Sequence, residues 1–283
     1  MPKNIKILIF GNGYLGNRLA EYFHTNALIS RADITIYSEI EKDIRKYSPE
    51  IIINAAAKTN IDWVEKQENR REAYAVNVGG AANVFFAART NNIFLCHISS
   101  GCIFDGITLG GFKENDMPNP SCYYAWTKIW GESQLFPFFD SKKVLVLRIR
   151  MPISQKFHPR NLINKLMKYD KVIDDQNSIT VIEDFLPAMK KFLKNRIYGT
   201  FHLTNTGSIS PYEIIQIMKK KGLINPNKKV KKITKEELDR LTLKGGGARR
   251  VSTILNTDKL KKLHINLPNV KERVEECIKN FKV

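Results

Sequence analysis

The sequence is poor in cysteine, with four residues of 283, at positions 96, 102, 122 and 277. No two of them form a CxxC pair, and no paired histidines accompany them. Structural zinc sites and small disulfide-stapled domains both depend on such clusters. We therefore expect neither a metal site nor a disulfide framework, and any cysteine with a special role would be catalytic.

Long apolar runs and a signal-peptide pattern are also missing. Spanning a bilayer takes about 20 predominantly apolar residues. A composition of 43% hydrophobic and 26% charged residues is ordinary for a globular protein. The sequence therefore predicts a cytoplasmic protein with no membrane partner.

Acidic residues are too few to balance the basic ones. The chain has 46 Lys and Arg against 28 Asp and Glu, a formal net charge of +18 at pH 7, which raises the question of nucleic-acid binding. Much of the excess lies in the last quarter, without a basic stripe interleaved with aromatic residues. We interpret it as a solvated lysine-rich surface and expect no nucleic-acid partner, although the positive field would attract a dianionic ligand.

Short apolar runs alternate with helical patterns along the first half of the chain. Such runs are typical of buried strands, and the helical stretches are typical of crossovers between parallel strands. The alternation predicts an α/β fold, a Rossmann-like doubly wound parallel sheet. The predicted strands are 5–10, 34–37, 51–54, 93–98, 144–149 and 200–203, and the predicted helices are 68–90, 123–136, 161–168, 182–193, 211–220, 235–241 and 270–281.

A glycine motif, GNGYLG, follows the first predicted strand. Gly11 permits a tight turn, Gly13 lets the backbone approach a pyrophosphate, and Gly16 lets the helix pack on the strand. Strand, motif and helix together favour a dinucleotide site over a fortuitous glycine turn, with the pyrophosphate at the helix N-terminus. The backbone of Tyr14 and Leu15, inside the motif, belongs to the same predicted site.

The residues at the end of the second predicted strand indicate whether the cofactor is NAD or NADP. Tyr37 and Ser38 stand where an acidic residue would mark NAD, and Ser38 is predicted to contact the cofactor. Arg18 and Arg31 could meet a 2′-phosphate, so the sequence favours NADP, with NADPH preferred and NADH left open. The alternative for both arginines is ordinary surface charge.

Small residues follow the third predicted strand. They leave room for backbone to lie against the ribose side of a dinucleotide, although a simple turn between strand and helix would look the same. Asn77, in AVNVGG, would either support this loop from a helix or lie on the surface; we favour the first. The predicted cofactor contacts here are Asn54, Ala55, Ala56, Ala57 and Asn77.

The strongest pattern is a tyrosine and a lysine four residues apart, after two serines. Tyr124 and Lys128 share one helix face, so the ammonium could lower the phenol's pKa from its usual value of about 10 and hold the nicotinamide ribose. Ser100, at the end of the fourth predicted strand, could hydrogen-bond a substrate carbonyl, and Ser99 would contact the cofactor. Tyr123 is a rival phenol, but only Tyr124 has a lysine at this offset.

These features divide the chain into two functional parts. Residues 1–150 form the predicted NAD(P)-binding Rossmann domain. Residues 151–283 form a smaller, mainly substrate-binding C-terminal portion, with some segments returning to the Rossmann sheet.

The order of glycine motif, NAAA, serine pair and YxxxK resembles the extended short-chain dehydrogenase/reductases. Over residues 5–260 the chain more closely resembles the UDP-4-keto-6-deoxy-D-glucose 3,5-epimerase/4-reductases, which complete UDP-L-rhamnose synthesis. The related dTDP-4-dehydrorhamnose reductases typically carry Asp-Tyr where this chain has Gly101 and Cys102. The segments that carry the resemblance are ISSGCIF (98–104), GFKENDMPNP (111–120), LRIRMPIS (147–154), PRNLINK (159–165) and NSITV (177–181).

The resemblance implies site residues that the bare sequence does not. Cys102 and Lys165 match the family's proton carriers at C3 and C5; without the resemblance they would be a small buried hydrophobe and a solvated lysine. Met151 would contact the cofactor and Asn161 the substrate. Arg249 or Arg250 would bind the substrate diphosphate, with a basic surface loop as the alternative.

We therefore predict NADPH-dependent conversion of UDP-4-keto-6-deoxy-D-glucose to UDP-L-rhamnose. A separate 4,6-dehydratase would supply the keto sugar, and a homodimer is left open. The alternatives are a monofunctional 4-keto reductase acting on a UDP- or dTDP-sugar, a non-catalytic nucleotide-sensing subunit and a basic nucleic-acid binder.

Overall fold

The computed structural model describes residues 6–135 and 142–282. Its main sheet has six parallel strands in the order β2-β1-β3-β4-β5-β7. Strands β1, β3 and β4 are buried along their whole length, as expected for a parallel sheet covered on both faces. The strands are β1 (Ile7–Phe10), β2 (Ala27–Ser30), β3 (Ile51–Asn54), β4 (Phe94–Ser100), β5 (Val144–Ile149) and β7 (Gly199–His202), and a small parallel sheet pairs β6 (Lys171–Ile173) with β8 (Lys231–Ile233).

Helices cover both faces of the main sheet, which confirms the predicted doubly wound Rossmann-like fold. Apolar residues of helices α1 and α8 pack on one face, and those of α2 and α5 pack on the other. A third core lies beneath α7, α9 and α12. The helices are α1 (Tyr14–Phe23), α2 (Tyr37–Tyr47), α3 (Ile61–Glu65), α4 (Gln67–Tyr74), α5 (Ala81–Thr90), α6 (Tyr123–Ser133), α7 (Leu162–Leu166), α8 (Ile182–Lys194), α9 (Pro211–Lys220), α10 (Lys235–Lys244), α11 (Asp258–Lys261) and α12 (Val270–Lys279).

The chain order of the strands reverses at β1, which is paired with β2 on one side and with β3 on the other. In open α/β sheets, ligands bind at such a switch point, beyond the carboxyl ends of the strands. The glycine motif follows β1, and the serine pair ends β4. The fold thus brings both motifs to the same edge of the sheet.

Most predicted elements are present, but the second strand was placed wrongly. The prediction put it at 34–37, whereas β2 is Ala27–Ser30 and Tyr37 begins helix α2. Asp33 accepts hydrogen bonds from the backbone and side chain of Thr35, which turns the chain here. Ile34 is buried against the sheet from this turn, so its apolar neighbourhood imitates a strand.

Several elements depart from the sequence reading in smaller ways. The predicted helix 68–90 is continuous but contains a π-helical segment, Ala75–Gly80, between α4 and α5. The sequence reading missed helices α2, α3 and α11 and strands β6 and β8. Part of the predicted helix 123–136 lies outside the described residues. Within the described residues, no helix combines the length and the apolar character that crossing a membrane requires.

Candidate active site

The glycine motif forms a tight turn between β1 and α1. Gly11 has φ +106°, and a Cβ there would lie 2.5 Å from the backbone nitrogen of Ala56. A Cβ at Gly16 would overlap the carbonyl oxygen of Gly11. At Gly13, the N-cap of α1, the nearest heavy atom would be Arg160 Nη1, 3.9 Å away. Only Gly13 therefore borders open space, in front of a helix N-terminus that fits a dinucleotide pyrophosphate.

The corrected position of β2 changes the residues expected at the adenosine ribose. β2 ends at Ser30, whose hydroxyl is bonded to Asp43 at 2.6 Å, and the exposed Arg31 follows it. Ser38 lies instead in the first turn of α2, so the argument that placed it at a strand end is wrong. Arg18 is bonded to Glu21 and Glu183. Arg31 is thus the better placed of the two arginines for a 2′-phosphate.

The loop after β3 is held by two buried asparagines. Asn54 accepts a hydrogen bond from the backbone N–H of Ala56 at 3.1 Å and lies 3.3 Å from His97. Asn77, on the π-helical segment, accepts from the backbone N–H of Lys58 at 2.8 Å and donates to its carbonyl at 3.1 Å. Asn77 therefore supports the loop from inside the protein. Ala55, Ala56 and Ala57 remain partly exposed along it.

Ser100, Tyr124 and Lys128 converge where β4 ends against α6. Tyr124 is 6% exposed and Lys128 is 2% exposed, and the Ser100 hydroxyl is near enough to the Tyr124 phenol to lower its pKa. The Lys128 ammonium donates to the carbonyl of Ile98 at 3.1 Å. Tyr123, the rival phenol, packs instead beneath the guanidinium of Arg70. A carbonyl compound entering here would meet a hydroxyl and a phenol side by side.

The electrostatics of this group differ from the expectation that Lys128 lowers the phenol's pKa. Burial raises the pKa of Tyr124, and the neighbouring Cys102 adds to that rise; the Ser100 hydroxyl and the charge of Arg150 oppose it. Burial also lowers the pKa of Lys128 to about 8. The cation that acts on the phenol in this structure is therefore Arg150, and Lys128 is itself close to losing its proton near neutral pH.

Cys102 lies in a single helical turn, Gly101–Ile103, directly after β4. Its backbone N–H donates to Ser100 Oγ at 3.2 Å, and Arg150 Nη1 donates to its Sγ at 2.9 Å. Cys102 is partly exposed, whereas Cys96, Cys122 and Cys277 are buried. The one accessible thiol of the four thus contacts Arg150, on a residue whose backbone is bonded to the Ser100 hydroxyl.

Lys165, on α7, approaches the site from the C-terminal portion. The residue as a whole is exposed, but partial desolvation of its amine lowers its pKa, and the charges of Arg160 and Arg250 act in the same direction. Asp62 opposes them. Lys165 and Cys102, both within the described residues, share no hydrogen bond and lie on separate elements, α7 and the turn after β4.

The RmlD substrate-binding domain family matches residues 5–283 of the chain. The chain belongs to this family.

Individual relatives agree with the family. Protein L780 of Acanthamoeba polyphaga mimivirus is 31% identical over 98% of this chain and 99% of its own length. The crystal structure of L780 is described as that of a UDP-rhamnose synthase. It has a TM-score of 0.88 at 28% identity and covers 97% of this chain and 98% of the L780 chain. A bifunctional dTDP-4-dehydrorhamnose 3,5-epimerase/dTDP-4-dehydrorhamnose reductase of Arabidopsis thaliana is 31% identical over 95% of this chain and 91% of that protein. The dTDP-4-dehydrorhamnose reductase of Bacillus anthracis, solved with NADP, has a TM-score of 0.82 at 25% identity, covering 97% and 96%.

Membership of the RmlD family confirms two predictions made from the sequence. The chain is an oxidoreductase of the short-chain dehydrogenase/reductase type, and it has the Rossmann-like fold. The Bacillus anthracis relative was solved with NADP, the cofactor that the sequence favours for this chain. The open space at Gly13 and the exposed Arg31 after β2 both suit that cofactor. The roles of the individual site residues follow from their contacts.

Two predicted contacts have other partners in the structure. The Ser99 hydroxyl donates to Glu132, which also pairs with Arg148 at 2.7 Å. Because successive residues of a strand face opposite ways, the Ser99 side chain points away from that of Ser100.

Asn161 is fully buried and caps α7. Its side chain accepts a hydrogen bond from the backbone N–H of Ile163 and donates to two backbone carbonyls. Its amide has no atom left for a substrate, which contradicts the predicted contact.

The two arginines predicted to bind the diphosphate differ in whether they already form an ion pair. Arg250 forms a two-pronged ion pair with Asp62, at 2.8 and 2.7 Å. Arg249 is exposed and forms no ion pair within the described part of the chain. Since Arg250 is already paired with a carboxylate, Arg249 is the one that a diphosphate could recruit without breaking a contact.

The segment before α7 contributes a residue that sequence reasoning missed. Arg160 donates to Thr59 Oγ1 at 3.2 Å while its guanidinium lies over Gly13. Nearby, His158 stacks on Tyr14 with ring centroids 4.2 Å apart. The C-terminal portion thereby places a cation over the predicted pyrophosphate position. No local pattern in PRNLINK marks Arg160 for this place.

Proposed function

We propose that the protein converts UDP-4-keto-6-deoxy-D-glucose to UDP-L-rhamnose by 3,5-epimerisation followed by NADPH-dependent reduction at C4. The observation that carries this proposal is the position of Cys102, in the turn directly after the strand that ends at Ser100, with its backbone bonded to the Ser100 hydroxyl. Tyr124 and Lys128 both lie close enough to Cys102 to interact with it electrostatically. A thiol there can reach carbons next to a ketone that Ser100 and Tyr124 hold.

Epimerisation needs a base and an acid on opposite faces of the sugar ring. Protons at C3 and C5 are acidic because the resulting enolate is conjugated with the C4 carbonyl. Cys102 removes such a proton, and Lys165, approaching from α7, returns one from the other face. The hydroxyls of Ser100 and Tyr124 hydrogen-bond the enolate oxygen as its charge develops.

Reduction then uses the same carbonyl contacts. NADPH, when bound along the glycine motif, supplies the hydride for C4. Tyr124 donates its proton to the C4 oxygen, and Lys128, whose pKa is about 8, is able to replace that proton near neutral pH. Burial favours the protonated phenol over the phenolate, which suits an acid.

The proposed contacts to the cofactor phosphates are Gly13, Arg31 and Arg160. The backbone of Met151 is a further proposed contact to the cofactor.

The relatives support the choice of nucleotide and of two steps. L780, the relative described as a UDP-rhamnose synthase, matches this chain over nearly its whole length. The Arabidopsis protein of similar length is named for both epimerisation and reduction, of a dTDP-sugar. We propose UDP on the first likeness, and a separate 4,6-dehydratase as the source of the keto sugar.

The test is incubation of the purified protein with UDP-4-keto-6-deoxy-D-glucose and NADPH in deuterated water, with the product identified by NMR. We expect UDP-L-rhamnose carrying deuterium at C3 and C5, since both protons would pass through solvent-exchanging side chains. Cys102→Ala should lose deuterium from at least one carbon and form no rhamnose, while slow reduction of the unepimerised ketone can persist. A wild-type product without deuterium at C3 and C5 would instead identify a monofunctional reductase.

A further inference from the structure

Arg150 is a buried cation that has no acidic partner within the described residues. It is 6% exposed and follows β5 directly. Its Nη2 donates to Asn177 Oδ1 at 2.8 Å and to the carbonyl of Val251. Its Nη1 donates to Cys102 Sγ at 2.9 Å, and its Nε is buried without a partner.

The contrast with Arg148, two residues earlier, shows what Arg150 lacks. Arg148 is equally buried, but it forms a bidentate ion pair with Glu132. A buried charge without a counter-charge is costly. The two neutral oxygens bonded to Arg150 Nη2 do not neutralise its charge, and the one group that it hydrogen-bonds and that can become an anion is the thiol of Cys102.

We propose that Arg150 is a positioning residue that holds Cys102 as a thiolate in the resting protein and so makes it the base of epimerisation. This inference depends on the proposed function for its role in catalysis. In the step concerned, the carbon–hydrogen bond next to the ketone breaks and a sulfur–hydrogen bond forms. The carbon's electron pair moves into the enolate, and Lys165 then supplies the proton that makes the new carbon–hydrogen bond.

Three other segments of the chain bond the guanidinium of Arg150, which is followed by an unusual backbone conformation. Met151, the next residue, has φ +39°, in the left-handed region that a side chain other than glycine rarely adopts. Asn177 and Val251 hold the opposite end of the guanidinium from two other segments of the chain. The arrangement therefore keeps one N–H directed at the sulfur.

Other titratable groups also face Cys102. Tyr124, Lys128 and Cys122, all on or next to α6, interact electrostatically with it. Arg150, directly after β5, is the group that donates a hydrogen bond to its sulfur. Changing the charge at position 150 while keeping these three residues isolates the contribution of Arg150.

The test is the rate at which iodoacetamide alkylates Cys102, compared in the wild type, Arg150→Gln and Arg150→Lys. Because the other three cysteines are buried, labelling of the folded protein reports on Cys102, and the thiolate is the reacting form. Glutamine retains an N–H donor but removes the charge, whereas lysine retains the charge. Circular dichroism and peptide mass mapping check that each variant is folded and that Cys102 carries the label.

At about pH 7 we expect Arg150→Gln to label roughly tenfold to a hundredfold more slowly than the wild type, the range for losing a hydrogen bond to a charged group. Arg150→Lys should recover much of that rate. At about pH 10, well above the usual thiol pKa of about 8.5, the three rates should converge. Equal rates at neutral pH, or slow labelling of Arg150→Gln at both pH values, would overturn the proposal.

If Arg150→Gln does not fold, Arg150→Lys carries the test through its own pH profile, which should follow the wild type's across this range. A profile displaced to higher pH would contradict the role of the charge. Deuterium exchange at C3 and C5 keeps the two proposals separate. Loss of exchange in Cys102→Ala with unchanged labelling in Arg150→Gln rejects only Arg150, whereas normal exchange in Cys102→Ala rejects the proposed function.

Discussion

Alanine substitutions at Gly13 and Gly16 form a matched pair, because the same added methyl group meets opposite surroundings. At Gly13, φ −78° and ψ −170° suit any residue, and the nearest atom would be the end of a flexible arginine 3.9 Å away. At Gly16 the methyl group would overlap the carbonyl oxygen of Gly11. We expect Gly13→Ala to damage cofactor binding and Gly16→Ala to damage the fold.

The magnitudes follow from the local environment. In Gly13→Ala, the less flexible unfolded chain stabilises the protein by about 0.4–1 kcal/mol, and the poorer N-cap costs a similar amount. The free energy of unfolding should therefore change by less than about 1 kcal/mol. In Gly16→Ala, separating α1 from the turn costs about 1–3 kcal/mol, as for other overpacked sites, which lowers the melting temperature by several degrees.

The assay combines calorimetry of the cofactor-free protein with a fluorescence titration of NADPH. Gly13→Ala should melt within about 4 °C of the wild type, yet its Kd for NADPH should rise at least tenfold, about 1.4 kcal/mol, because the methyl group occupies the proposed pyrophosphate position. Unchanged NADPH binding by Gly13→Ala would refute the assignment of the glycine motif to the pyrophosphate. Wild-type stability in Gly16→Ala would refute the close helix packing.

Three further predictions concern catalysis and the cofactor. Tyr124→Phe should reduce the rate of reduction by roughly 10² to 10⁴, the usual contribution of a general acid, with substrate binding retained; a rate near that of the wild type would contradict the role of Tyr124. Arg31→Ala should lower the preference for NADPH over NADH, measured as the ratio of kcat/KM values, while Arg18→Ala, whose arginine is already paired with Glu21, should change that ratio less. Since the pKa of Lys128 is about 8 and its protonated form is the proposed proton source, kcat/KM for reduction should be full below that pH and fall as pH rises through it; an unchanged rate up to about pH 10 would contradict this role.

The sequence by itself determined the features that depend on neighbours along the chain. The third and fifth strands, 51–54 and 144–149, have the predicted bounds, because buried parallel strands are continuous apolar runs. Tyr124 and Lys128 share a helix face because of the helical repeat alone. The glycine spacing likewise records a turn that has no room for a side chain at Gly11 or Gly16.

Only the tertiary structure decided which distant side chains meet. The true β2 is a short apolar run like others in the sequence, and its pairing with β1 distinguishes it from 34–37. Arg150 contacts Cys102 because β5 lies beside β4, although 48 residues separate them. Asn161 became a helix cap and Arg160 a cation over Gly13 through loop packing. Such contacts depend on strand order and side-chain direction in three dimensions, which no local spacing encodes.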